Sequence, residues 1–130
     1  MIKYWIGAQT KHRMLYHIVW IPKYRKRILK DAIAKRIKEL LEECALVNRW
    51  EMHELNVQPD HIHMLIQLRP EPSVSKVVQL FKGKSSRIIR KEFPALEEFY
   101  WGDSFWGDGF FVETAGQVNV EKIRDYIKNQ

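Results

Sequence analysis

A chain of 130 residues is long enough for one domain with one core and short for two. Its 45% hydrophobic content allows a helix layer packed on a sheet, but no apolar run reaches transmembrane length, no signal-peptide pattern is present, and the single cysteine, Cys44, excludes an internal disulfide, which together read as an intracellular protein with Cys44 in its core. The 22 lysines and arginines against 16 aspartates and glutamates give a net charge of +6, as suited to a polyanionic partner such as nucleic acid as to a solvated basic surface.

Residues 1–13 read as a mixed arm ahead of the core. Met14 to Ile21, apolar and rich in β-branched and aromatic residues, predicts a strand that Pro22 ends. Asp31 is placed to cap a helix running to about Leu46, because Ile33, Ile37, Leu40, Leu41 and Cys44 recur at helical spacing. Trp50 to Val57 predicts a second strand. Pro59-Asp60 makes a short turn into a third, His61 to Leu68, so these two should pair antiparallel. Pro70-Glu71-Pro72 breaks the chain, and Ser73 caps a second helix that passes Gly83 and ends before Pro94. A glycine inside a helix costs about 1 kcal/mol relative to alanine; a kink, a close approach or simple tolerance would each account for it. Tyr100 to Gly109 reads as a loop, Phe110 to Thr114 as the fourth strand and Gly116 as a turn. Asn119 then caps a last helix from Val120 to about Asn129.

The order of the first six elements predicts an α+β, ferredoxin-like (RRM-like) βαββαβ antiparallel sheet with its helices on one face, followed by a C-terminal helix. One domain spans 1–130, with an arm at 1–13, the core at 14–114 and the last helix at 119–130. Strand alternation puts His61 and His63 side by side on one face, while Ile62, Met64, Ile66 and Leu68 line the other. The apolar side should lie under the helices and the histidine side should be open. Two imidazoles on a rigid strand can hold one metal ion, although this pattern alone more often marks two polar residues on a solvated face. Basic residues gather in two groups, one with Lys23, Arg25 and Arg27, the other with Lys82, Lys84 and Arg87. Such groups neutralise phosphates, and nearby Tyr16, Trp20 and Tyr24 could stack on bases.

The triplet His61-Ile62-His63, in which two histidines flank a bulky apolar residue, the downstream Tyr126 and the basic ferredoxin-like frame together resemble the HUH endonucleases. More narrowly, the chain resembles the single-tyrosine HUH transposases (TnpA) of small bacterial and archaeal insertion sequences, over nearly its whole length. The resemblance runs through Tyr16-His17-Ile18-Val19-Trp20-Ile21-Pro22-Lys23-Tyr24-Arg25, Val57-Gln58-Pro59-Asp60-His61-Ile62-His63-Met64, Phe81-Lys82-Gly83-Lys84-Ser85-Ser86, Phe105-Trp106 with Phe110 to Thr114, and Tyr126 with Gln130. It implies a metal-dependent single-stranded DNA endonuclease and strand transferase. His61, His63 and Gln130 would be ligands of a divalent ion, Mg²⁺ or Mn²⁺, and Tyr126 the nucleophile that forms a 5′-phosphotyrosine. It also implies imperfect DNA hairpins at the element ends as partners, with Lys23, Arg25, Arg27, Lys82, Lys84 and Arg87 as candidate DNA contacts. A homodimer would compose each active site from both subunits, in the cytoplasm of a prokaryote and with no membrane partner. His17 is read as structural, and Asp60 either orients His61 or only makes the turn.

Other readings stay open on the residues alone. A non-catalytic nucleic-acid-binding module could use the same sheet, although the aromatic RNA-recognition signature is absent from the third strand. A domesticated relative could nick chromosomal hairpins without moving an element. A hydrolase could act through a metal-activated water and would not need Tyr126.

Overall fold

The computed structural model of the chain describes residues 13–100 and 102–116. Four strands, β1 (Met14–Trp20), β2 (Glu51–Gln58), β3 (His61–Leu68) and β4 (Phe111–Gly116), form one sheet in the order β2-β3-β1-β4. Every neighbouring pair is antiparallel. Helices α1 (Asp31–Val47) and α2 (Val74–Glu92) form the second layer, with a short helix α3 (Glu97–Tyr100) after them. This is the ferredoxin-like frame expected of the sequence, with the first and third strands central. The arm at 1–12 and the helix expected at 119–130 lie outside the described residues.

The even-numbered residues of the central strands make the core face. Ile18 and Trp20 of β1 and Ile62, Met64, Ile66 and Leu68 of β3 are buried against Ile37, Leu41, Cys44 and Ala45 of α1 and Val77, Val78, Phe81 and Ile89 of α2. Cys44 is thus a core residue, as expected. The opposite face is less open than strand alternation alone suggested. Leu15 and Leu65 are fully buried there and pack with Ala115 as a second apolar cluster, because the central strands carry apolar residues on both faces.

Helix ends follow local chemistry. The Ser73 hydroxyl accepts a hydrogen bond from the Lys76 amide at 3.2 Å, the expected N-cap of α2. Asp31 does not cap α1. Lys30 precedes the helix in an extended conformation, and its carbonyl accepts the first bonds, from Ile33 and Ala34. Asp31 is the first helical residue, at φ 51, and aspartate tolerates that left-handed value better than most residues. At the other end Arg49 takes φ 61, and the Arg49 and Trp50 amides bond back to the Leu46 and Ala45 carbonyls. This is a Schellman stop made without glycine. α2 runs unbroken through Gly83, where an added Cβ would meet nothing within 4 Å. Neither a kink nor a close neighbour requires that glycine.

Residues 103–110 are fastened to α2. The Trp106 indole donates to the Ser85 hydroxyl at 2.9 Å, and Ser85 donates to the Phe81 carbonyl at 2.7 Å. Both side chains are buried. Ser85→Ala would leave the indole N–H without its partner in an apolar setting, a loss of about 1–3 kcal/mol. Urea unfolding should show a lowered midpoint at unchanged slope.

Candidate metal and DNA site

β3 begins straight after the Pro59-Asp60 turn, and this positions its first histidine. The His61 Nδ1 lies 2.6 Å from an Asp60 carboxylate oxygen. A carboxylate only accepts, so His61 carries its proton on Nδ1 and keeps the Nε2 lone pair for another partner. The other Asp60 oxygen accepts from Arg25 Nε at 3.0 Å, with Arg27 at 3.9 Å. Burial works against the Asp60 charge, but the His61 hydrogen bond and the Arg25 guanidinium more than offset it and hold the carboxyl below the usual carboxylate range. Asp60 therefore does orient His61 and joins it to the first basic group.

His61 and His63 share one sheet face, their ring centroids 4.5 Å apart, so the two imidazoles are near neighbours on the same rigid strand. Two imidazoles suit a first-row transition ion, and Mg²⁺ or Mn²⁺ on the pair would lean on further oxygen ligands. Among the described residues no three His, Cys, Asp or Glu side chains gather as a metal cage, so an ion on this pair would need further ligands. Tyr126 and Gln130, the expected nucleophile and third ligand, lie outside the described residues.

Strand pairing adds a third imidazole that sequence reading had treated as structural. β1 pairs with β3 so that Val19 faces His63 and His17 faces Leu65. His17 thereby becomes the diagonal neighbour of His63, with its Nε2 3.2 Å from His63 Nδ1. Burial of both rings disfavours their protonated forms. It lowers His17 below its ordinary value despite Glu113 nearby, and lowers His63 to about 4, with the neighbouring His61 and His17 adding to the effect. His63 is therefore neutral, as a metal ligand must be, throughout the physiological range.

This shift has a consequence for stability. In an unfolded chain His63 titrates near 6.5, so between about pH 6.5 and pH 4 the unfolded state holds the extra proton. Stability from this residue is complete above pH 6.5 and is lost as the pH falls towards 4. Wild type should lose about 2–3 kcal/mol more between pH 7 and pH 4.5 than a His63→Asn variant, measured by urea unfolding at each pH.

The basic residues divide by position. Arg25 and Arg27 are exposed and converge on Asp60 beside the histidines. Their loop is held by bonds from Lys23 N to Phe105 O, Arg25 N to Pro22 O and Tyr24 Oη to Asp103. These contacts sustain left-handed φ values of 61 and 54 at Tyr24 and Arg25. Lys23 sits in this loop over the Tyr24 ring. In the second group, the Lys82 ammonium donates to the carbonyls of Gly107 and Gly109 at 2.8 and 2.6 Å, and burial lowers its pKa. Lys82 thus fastens this loop, and together they line a cleft of about 580 Å³. Lys84 lies 3.9 Å from Glu43, and Arg87 is exposed.

Comparison with known proteins then decides the family. The family model described as "Transposase IS200 like" matches residues 10–130. The chain belongs to the IS200-like transposases. The ISDra2 transposase TnpA of Deinococcus radiodurans is 30% identical over 124 residues, covering 95% of this chain and 89% of that protein. The transposase for insertion sequence element IS200 of Salmonella typhimurium is 36% identical over 123 residues, covering 95% and 80%. A crystal structure of a transposase from Deinococcus radiodurans R1 superposes with a TM-score of 0.73 at 33% identity, over 91% of each chain. A REP-associated tyrosine transposase bound to a REP hairpin shares the fold, with a TM-score of 0.61 at 14% identity over 90% of this chain and 63% of that one. The transposase also contains no helix, among the described residues, that is long and apolar enough to cross a membrane.

Proposed function

We propose that this IS200-like transposase cuts and rejoins single-stranded DNA at the ends of its insertion sequence through Tyr126. The observation that carries the reading is the His61–His63 pair, 4.5 Å between ring centroids and tied through Asp60 to Arg25 and Arg27. His61, His63 and the Gln130 amide oxygen would hold Mg²⁺ or Mn²⁺. When bound, that ion would polarise the scissile phosphate and offset its developing charge. Arg25 and Arg27 stand where a phosphodiester approaching the histidines would meet two guanidinium forks. The Tyr126 oxygen attacks phosphorus, the bond to the 3′ oxygen breaks, and the phenolic proton is lost while the leaving oxygen is protonated. The products are a 5′-phosphotyrosine and a free 3′-hydroxyl. A 3′-hydroxyl of another strand reverses these events, so the covalent linkage keeps the strand available for joining.

Imperfect hairpins near the element ends are the proposed recognition signal, with Lys23, Lys84 and Arg87 as phosphate contacts. Lys82 has a more local task in fastening residues 107–109. By resemblance, two subunits would join sheets, and each tyrosine helix would complete the partner's histidine site in a cytoplasmic reaction on chromosomal or plasmid DNA. The test is incubation of the full chain with Mn²⁺ and single-stranded DNA carrying its own element end. A protein–DNA adduct that survives denaturant and disappears with EDTA is expected. Tight hairpin and Mn²⁺ binding without any adduct would instead identify a non-catalytic binding module.

A further inference from the structure

His17 and Glu113 have no part in the scheme above, yet both face the histidine pair. The side chains of β1, β3 and β4 on this face come from residues that are adjacent by register, because His17 pairs with Leu65 on one side and with Glu113 on the other. His17 is buried, its ring stacked on His63 at 25° between planes and met edge-on by Phe111. Its Nε2 lies 3.2 Å from His63 Nδ1, and its Nδ1 lies 4.0 Å from a Glu113 carboxylate oxygen.

One proton lies between His17 Nε2 and His63 Nδ1, and its owner decides what His63 can do. If His17 donated, His63 would accept on Nδ1, carry its own proton on Nε2 and have no lone pair to offer from that nitrogen. If His63 donates, its Nε2 is a free lone pair, and the remaining proton of His17 moves to Nδ1, the nitrogen that faces Glu113. The carboxylate is too far for a direct hydrogen bond but close enough to favour an N–H dipole pointing at it. The Glu113 charge favours the second arrangement. His61 reaches the same state by a shorter route, its Nδ1 proton held directly by Asp60.

We propose that His17 is a positioning residue. It accepts the Nδ1 hydrogen bond of His63 under the influence of Glu113, and so holds His63 Nε2 as the metal-binding nitrogen. A carboxylate aligns each ligand, directly for His61 and through an intervening imidazole for His63. The inference rests on the reading of His61 and His63 as metal ligands.

Two measurements test it. The first needs no metal: long-range ¹H–¹⁵N correlation spectra of the wild-type full chain at neutral pH should show His61, His63 and His17 protonated on Nδ1. His63 protonated on Nε2 would overturn the proposal. The second is Mn²⁺ affinity, read by electron paramagnetic resonance. His17→Phe keeps an aromatic ring but has no acceptor, and it should weaken binding by about 10–100-fold. His17→Gln offers an amide oxygen and should recover most of that loss. Equal affinity in wild type and His17→Phe would overturn the positioning role alone, whereas a wild type that binds no Mn²⁺ would overturn the metal reading beneath it. Should His17→Phe fail to fold by circular dichroism, His17→Gln and the wild-type tautomers still decide the matter.

Discussion

Tyr126→Phe, which removes a single oxygen, is expected to abolish the covalent protein–DNA product. Cleavage and joining of single-stranded element ends should fall by about 10⁴-fold or more, because no other group on the chain is assigned to take over the attack on phosphorus. Hairpin affinity and the unfolding midpoint should stay close to wild type. Gel analysis of cleaved strands, alongside a hairpin-binding titration, reads both quantities from one preparation. Undiminished cleavage by the variant would point to a water nucleophile and a hydrolase.

His61→Ala and His63→Ala form the second large effect, and they should differ in an informative way. Each removes one of two imidazoles from the proposed ion, so each should cost about 10²-fold or more in Mn²⁺ affinity and a comparable or larger factor in cleavage. His61→Ala also takes the hydrogen-bond partner from Asp60, whose remaining contacts are to Arg25 and Arg27. His63→Ala leaves a small void beside buried Leu65 and His17 but removes a poorly solvated imidazole. Metal titration and pH-dependent unfolding of the two variants separate these roles. Wild-type affinity in both would exclude the pair as ligands.

Most of the frame was legible because its signals are local. Alternation in His61 to Leu68, helical spacing from Ile33 to Cys44 and the Ser73 cap each depend on neighbours in sequence. The histidine pair was legible for the same reason, being two residues apart on one strand. His17 and Glu113 were not, because their relation to His63 is created by register. A shift of β1 by one residue would turn His17 to the opposite face, and nothing near residue 17 announces that register. The end of α1 was indistinct because Arg49, at φ 61, occupies a place usually held by glycine. The short helix α3 went unassigned, with only Tyr100 falling in the expected loop, because its four residues are too few to show a period. Lys82 read as a surface cation. Its actual partners are backbone carbonyls of residues 107 and 109, which carry no side-chain signature.

The register that brings His17 to His63 also sets the order in which the chain can acquire its shape. The β2–β3 hairpin closes over the two residues between Gln58 and His61 and can form as soon as it is synthesised. The central strand β1 must wait for a partner 46 residues away at the His17–His63 contact, and β4 pairs with it only when nearly all of the described fold has emerged. Loop-closure entropy is met late and all at once, as in folds of high contact order. No partly folded chain lacking β1 can present the three imidazoles together, so their chemistry is confined to molecules whose sheet is assembled.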